Sequence, residues 1–214
     1  MPQFDRHLEL PDFTQEDQDR LASSRVLVVG LGGLGSPAAR YLHAAGVTNL
    51  HLCDFDEVDE TNLPRQILYA EHDLGKKKAE LASERLPGTT KRDQTFDAAL
   101  LVGMDLVVDC TDDPATRTYI FESCKAAGLP LVWGALHGNE GQITTFLPGV
   151  KALFPSFGGD KGCQGILGPN AGVVGTLMAS EALNVLRGRP KLAGRMLLFD
   201  GDELTFDEVQ WVKQ

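Results

Sequence analysis

The hexapeptide Gly30-Leu31-Gly32-Gly33-Leu34-Gly35 lies between the apolar run Arg25-Val26-Leu27-Val28-Val29 and a stretch, Leu34 to Ala45, whose apolar residues recur at helical spacing. In that setting a GxGxxG pattern works through its backbone. Glycines permit a tight turn and close approach to phosphate oxygens, and the helix N-terminus that follows offers unpaired N–H donors with a partial positive charge. Gly30, Gly32 and Gly33 are therefore candidate phosphate-binding positions. Asp54 closes a second run, Asn49-Leu50-His51-Leu52-Cys53, where a carboxylate accepts hydrogen bonds from ribose hydroxyls. Glycines that only let a helix pack on a sheet would not explain Asp54, so the pair indicates a nucleotide site. A nicotinamide dinucleotide and ATP both satisfy it, because the pattern reads ribose and phosphate rather than redox chemistry.

The charged residues that follow favour ATP. Asn62, Arg65 and Lys78 lie in the segment that leaves the sheet edge above the glycine loop, and Asp109 and Asp112 bracket the C-terminal end of a later strand on the same edge. A triphosphate carries more charge than backbone N–H groups alone can balance; it calls for Arg and Lys clamps and a carboxylate that holds Mg²⁺. One of the two aspartates is a candidate magnesium ligand. Taken singly these residues are ordinary: Lys76-Lys77-Lys78 reads as a solvated helix face, and Asp113 before Pro114 reads as a helix N-cap. The argument rests on several separate segments meeting on one sheet edge. An NAD-dependent oxidoreductase is the alternative, and it leaves Arg65, Lys78 and Asp112 unexplained.

The elements that must position these residues follow an α/β alternation. Thr14 with Asp17 three residues later marks the start of a polar helix by a capping box. Strands are expected at Arg25 to Val29, Asn49 to Cys53 and Asp105 to Cys110, with helices from Leu34 to Ala45, from Gly75 to Leu86, from Pro114 to about Ala127 and from Ala171 to Leu186. Leu129 to Ala135 and Gln142 to Leu147 read as further strands, Pro148 to Pro169 as a surface loop, and Arg195 to Phe199 with Leu204 to Val212 as a hairpin around Asp200-Gly201-Asp202. The expected fold is a doubly wound, Rossmann-like, mainly parallel sheet with antiparallel strands at its C-terminal end, in one domain over residues 1–214.

Composition narrows the partners. Lys and Arg number 20 against 30 Asp and Glu, and a net charge of -10 argues against nucleic acid. No apolar run is long enough for a signal peptide or a membrane span, so a cytoplasmic protein without a membrane partner is expected. Cys53, Cys110, Cys124 and Cys163 form no C-x-x-C pair, so no zinc site is expected, and Cys53 and Cys110 read as small buried hydrophobes.

The blocks VLVVGLGGLGSPAARYLHAAGV, DFDEVDETNLPRQ, GKKKAE, DLVVDCTDD, LVWGALHGNEGQITTF and ILGPNAGVVGTLMASEAL resemble, in order, those of the ThiF/MoeB/HesA group, relatives of the ubiquitin-activating enzymes. The resemblance runs from about Phe4 to Val209. It implies an adenylyltransferase that uses ATP and Mg²⁺ to activate the terminal carboxylate of a ubiquitin-like sulfur-carrier protein ending in Gly-Gly. It also implies that Asp54 binds the ribose, that Asn62, Arg65 and Lys78 contact phosphates, and that Asp112 is the magnesium ligand. Arg6 then reaches across a two-fold interface as a trans-acting arginine, which makes the protein a homodimer.

Departures from the group's pattern are equally specific. Many members carry two C-x-x-C pairs for structural zinc, whereas the first corresponding stretch here reads Pro-Gly-Val-Lys-Ala-Leu-Phe-Pro and the sequence reaches Gln214 before the second. Residues 87–100 are shorter than usual, predicting a reduced third strand; Gln3 replaces an arginine, and Asp113 stands where Asn is frequent. Cys163, in Lys161-Gly162-Cys163-Gln164-Gly165, corresponds to a cysteine that forms a covalent carrier link in some relatives and is a candidate for a later step that adenylation itself does not need. A family member acting on a peptide or a tRNA-modification intermediate, and a binding module without turnover, are the other readings. The acidic balance disfavours tRNA, and the intact charged set disfavours the module.

Overall fold

The computed structural model describes residues 2–150 and 165–210. Strands β1 (Arg25–Val29), β2 (Asn49–Cys53), β3 (Thr90–Arg92), β4 (Leu106–Asp109), β5 (Leu131–His137), β6 (Glu140–Phe146), β7 (Arg195–Asp200) and β8 (Thr205–Gln210) form one sheet in the order β3-β2-β1-β4-β5-β6-β7-β8. The pairs from β3 across to β5 are parallel, and those from β5 across to β8 are antiparallel. Strand order reverses at β1, with β2 on one side and β4 on the other, and the crevice at the C-terminal ends of these strands is where doubly wound sheets bind ligands.

The helices are α1 (Asp5–Leu8), α2 (Gln15–Ser23), α3 (Gly35–Ala44), α4 (Lys78–Arg85), α5 (Pro114–Ala127) and α6 (Gly168–Leu186). They cover both faces, which explains why β1 and β4 are unbroken apolar runs rather than alternating ones. Val26, Val28, Leu106 and Val108 point into a core shared with Leu42 of α3, Ala82 of α4 and Met178 of α6. Leu27, Val29 and Val107 point the other way, onto Ile120, Phe121 and Cys124 of α5.

Local signals decide the element ends. Thr14 caps α2 in a complete capping box with Asp17, and Asp113 accepts from the Thr116 N–H at the head of α5, which carries Pro114 in its first turn. Gly128 closes α5 in the left-handed region, φ 66°. Differences from expectation have local causes too. The helix expected from Gly75 begins only at Lys78, because Gly75 turns left-handed at φ 76° and Lys77 is held extended in a bridge to Glu57. The alternative reading of the three lysines as one solvated helix face does not hold: Lys78 is buried at the head of α4 while Lys76 and Lys77 precede the helix. Pro169, expected in a loop, sits in the first turn of α6, where its missing N–H is not needed. The reduced third strand is present as the three-residue β3. Residues 151–164 of the expected loop and positions 211 and 212 of the last expected strand lie outside the described residues.

Helix α6 packs closely on α3. A Cβ built on Gly175 would lie 2.3 Å from the Leu34 carbonyl oxygen and 2.6 Å from Pro37 Cγ, whereas one on Gly172, in the same helix, meets nothing within 4 Å. Gly175→Ala should therefore lower unfolding free energy in urea by roughly 1–3 kcal/mol, the usual cost of overpacking. Gly172→Ala should be neutral or raise it by ~0.5–1 kcal/mol through helix propensity. Equal effects of the two substitutions would contradict this packing.

Candidate functional site

The glycine loop leaves β1 and turns directly against the end of β4. Gly30 has φ 84°, and a Cβ there would lie 2.9 Å from the Cys110 carbonyl oxygen and 3.1 Å from the Thr111 nitrogen. A Cβ on Gly35 would lie 1.9 Å from the Gly30 carbonyl oxygen, so the turn into α3 closes only with glycine at both ends. Gly33 faces Arg65, whose Cγ lies 3.5 Å from a Cβ built on that glycine, and Gly32 faces Gln66 Nε2 at 3.4 Å. No side chain caps the N-terminus of α3, which is left as the anion-attracting end of the loop.

Asp54 is fixed in this loop before any ligand arrives. One carboxylate oxygen accepts from the Leu31 N–H at 2.7 Å and the other from the Asp56 N–H at 2.8 Å. Burial raises the Asp54 pKa, opposed by those two N–H groups and by nearby Lys78. Each oxygen keeps a lone pair for a ribose hydroxyl. Lys78 is 5% exposed and donates from Nζ to Asp56 Oδ2 at 3.1 Å, an ammonium sheltered from water whose charge a phosphate would meet at low screening. Arg65 is half-buried and donates to the Thr61 carbonyl at 2.7 Å, while Asn62 Oδ1 accepts from the Asp59 N–H and closes the turn between them.

Asp109 and Asp112 have separate places. Asp109, the last residue of β4, is fully buried, and its Oδ1 accepts from both the N–H and the hydroxyl of Thr111. Asp112 is exposed just past the strand, next in sequence to Cys110 and Thr111, whose main chain lies against Gly30. No three ligating side chains gather among the described residues, so a divalent cation at Asp112 would complete its shell with phosphate oxygens and water, which is the habit of Mg²⁺. The cradle without Cβ atoms, the sheltered Lys78 and the exposed Asp112 carboxylate fit a magnesium nucleotide.

Gly30, Gly32, Gly33, Asp54, Asn62, Arg65, Lys78 and Asp112 thus share one edge of the sheet. Arg6 does not join them in this chain: on α1 it is paired with Glu9 at 2.7 Å, with its side chain 88% exposed. Cys163 lies outside the described residues. Cys53 and Cys110 are buried as expected, and burial pushes the Cys53 thiol up to about 12. Sequence reasoning passed over Gln66, Asp56 and Arg117. Asp56 stands two residues after Asp54, a signal that could have been read; Arg117 and Gln66 carry no local signal, since only the fold turns them inward.

The ThiF family model matches residues 4–214. The chain is 39% identical over 232 residues to molybdopterin-synthase adenylyltransferase of Escherichia coli, covering all of this chain and 93% of that one. It is 36% identical over 230 residues to SAMP-activating enzyme E1 of Haloferax volcanii, covering 99% and 85%. Among solved structures, E. coli MccB with ATP superposes with a TM-score of 0.80 at 19% identity, over 92% of this chain and 66% of that one, a likeness of fold.

Burial pushes the Asp109 carboxyl up to about 6, against the Thr111 hydrogen bonds and Arg117. Its folded pKa lies above the unfolded one, so the folded chain binds the proton better, and this group's contribution to stability falls as pH rises from about 4 to about 6. Asp17, held by the Thr14 N–H, and Asp113, held by Thr116, are lowered and act with the opposite sign. Carbon-13 NMR titration should place Asp109 near 6 and these two below 3.8. An Asp109 midpoint at or below 3.8 would contradict the buried carboxylate.

Proposed function

The chain belongs to the ThiF family, and from that premise we propose that it adenylates the C-terminal glycine carboxylate of a ubiquitin-like sulfur-carrier protein. The observation that supports this reading is the meeting of a glycine loop closed to any Cβ, the N–H-held Asp54 carboxylate and buried Lys78 on the edge that also carries exposed Asp112. The names of its relatives supply the substrate class: they include a molybdopterin-synthase adenylyltransferase, a sulfur carrier protein ThiS adenylyltransferase and a SAMP-activating enzyme.

In the proposed reaction a carboxylate oxygen of the carrier attacks the α-phosphorus of ATP. A new P–O bond forms, the bond from that phosphorus to the bridging oxygen of the β-phosphate breaks, and pyrophosphate leaves with the electron pair. No proton moves and no side-chain nucleophile is needed. Two anions must approach, so catalysis consists of holding them in line and balancing charge that develops around phosphorus. Asp54 anchors the ribose, and the N-terminal end of α3 receives the phosphates. Lys78 exchanges its Asp56 partner for a phosphate oxygen, and Arg65 swings from the Thr61 carbonyl to do the same. Magnesium bound at Asp112 would neutralise phosphate charge.

Three further parts belong to the same proposal. Arg6, exposed on α1 and away from its own loop, serves the partner protomer of a homodimer. Zinc has no part in the proposed reaction, a reading that rests on the absence of a C-x-x-C pair in the sequence. The setting is cytoplasmic, where ATP and carrier meet. An NAD-dependent oxidoreductase, which the glycine loop also allows, leaves the combination of Arg65, Lys78 and Asp112 unexplained.

With Mg²⁺ and a carrier ending in Gly-Gly, the protein should exchange labelled pyrophosphate into ATP, and it should not do so without the carrier. Asp112→Ala should lower exchange by about 10²–10³-fold, the usual cost of deleting a group that stabilises transition-state charge; Cys163→Ala should leave it nearly intact. Hydride transfer to a nicotinamide without exchange would overturn the reading. Shared sites are tested by mixing inactive Arg6→Ala and Asp112→Ala chains, which should regain activity because some mixed dimers contain one complete site. Absence of recovery in verified mixed dimers would place Arg6 outside the partner's site.

A further inference from the structure

Thr111 is gripped from two sides by buried ions. Asp109, fully buried, accepts the Thr111 N–H at 2.9 Å and its hydroxyl at 2.7 Å on the same oxygen. Arg117, 7% exposed on α5, donates to the Thr111 carbonyl from both Nε and Nη2. Its guanidinium also lies 5.7 Å from the ring centroid of Trp133 on β5. The N–H, the carbonyl and the hydroxyl of one residue are thus all engaged, by groups anchored in β4 and α5. The next residue is Asp112, and the residue before has its carbonyl against Gly30.

Two buried charges are an expensive way to shape a turn, because each loses its hydration and Asp109 Oδ2 finds no hydrogen-bond partner among the described residues. Apolar packing would hold a loop at lower cost. What the ionic grip adds is direction: hydrogen bonds specify where the backbone of 110–112 points, as van der Waals contact does not. The ends of this turn decide where a carboxylate stands relative to the glycine loop.

We propose that Asp109, Thr111 and Arg117 are positioning residues that lock the 110–112 turn and so hold Asp112 in place for the magnesium ion of the nucleotide. The proposal rests on the adenylation reading for its ligand, but its test needs no turnover. Partners behind a metal ligand fix its orientation, and losing them typically costs about 10–100-fold in metal affinity. Asp109 is then distinct from Asp112 in role: it touches neither substrate nor metal.

The test is calorimetric ATP binding with and without Mg²⁺, the measured quantity being the gain in affinity that Mg²⁺ confers. Thr111→Val removes the hydroxyl at nearly constant volume and should cut that gain about tenfold while metal-free ATP binding holds; Thr111→Ser should restore it. Arg117→Lys keeps the charge, loses the fork and should act like Thr111→Val. Combined with Asp112→Ala, Thr111→Val should add no further loss, because both act on one metal contact. A full Mg²⁺ gain in folded Thr111→Val and Arg117→Lys, additive losses in the double variant, or no gain in the wild type would overturn the clamp. Intact clamp behaviour without pyrophosphate exchange would overturn adenylation alone, and exchange with an unaltered Mg²⁺ gain in the variants would overturn the clamp alone.

Discussion

The backbone of Gly30 lies so close to the end of β4 that a single methyl there would meet the Cys110 carbonyl at 2.9 Å, and the same loop closes on itself where a methyl on Gly35 would meet the Gly30 carbonyl at 1.9 Å. This apposition of main chains places everything else at the site. It brings the head of α3 beside the turn that carries Asp112, and it lets the Leu31 N–H reach Asp54 at the end of β2. Gly168 extends the same principle: a Cβ there would lie 2.2 Å from the Pro64 carbonyl, so the head of α6 presses on the segment that carries Arg65. The candidate site residues from four segments are held to one edge because side chains are missing from the contacts between those segments.

Around that backbone frame the charges are prepared rather than neutralised. Lys78 is buried with one carboxylate partner, Asp54 is buried with its oxygens held by N–H groups, and Arg65 rests on a carbonyl. Asp54 is oriented before any ligand binds, whereas Lys78 and Arg65 rest on partners that an incoming anion would have to replace. The same low-dielectric setting costs stability, and burial drives the pKa values of Asp54 and Asp109 upward while surface carboxylates such as Asp113 move down. Buried ionisable groups of this kind are ones that the fold alone would not favour.

Much of this was legible in the amino-acid sequence, and the parts that were not have physical reasons. β1 and β2 could be bounded to the residue because their apolar runs stop abruptly at glycine and at acid. The head of α5 was equally clear from Asp113-Pro114. The start of α4 was misjudged, since Lys76 and Lys77 have ordinary helix propensity and only the bridge from Lys77 to Glu57 keeps them extended. At the site, Asp54 and the glycines announce themselves by spacing, whereas the separate roles of Asp109 and Asp112 depend on which carboxylate the strand's pleat buries. Arg117 was passed over, because its inward turn onto Thr111 is set by tertiary packing rather than by its neighbours in sequence.

Transfer of an adenylyl group to a carrier carboxylate is tested most directly by following label from ATP into the carrier during a single turnover. With stoichiometric protein, Mg²⁺ and a carrier ending in Gly-Gly, ATP labelled at the α-phosphorus should label the carrier in a bond cleaved by hydroxylamine, while label at the γ-phosphorus should leave entirely as pyrophosphate. Label reaching the carrier from the γ-phosphorus, or none reaching it from the α-phosphorus in protein shown to bind both partners, would contradict adenylation.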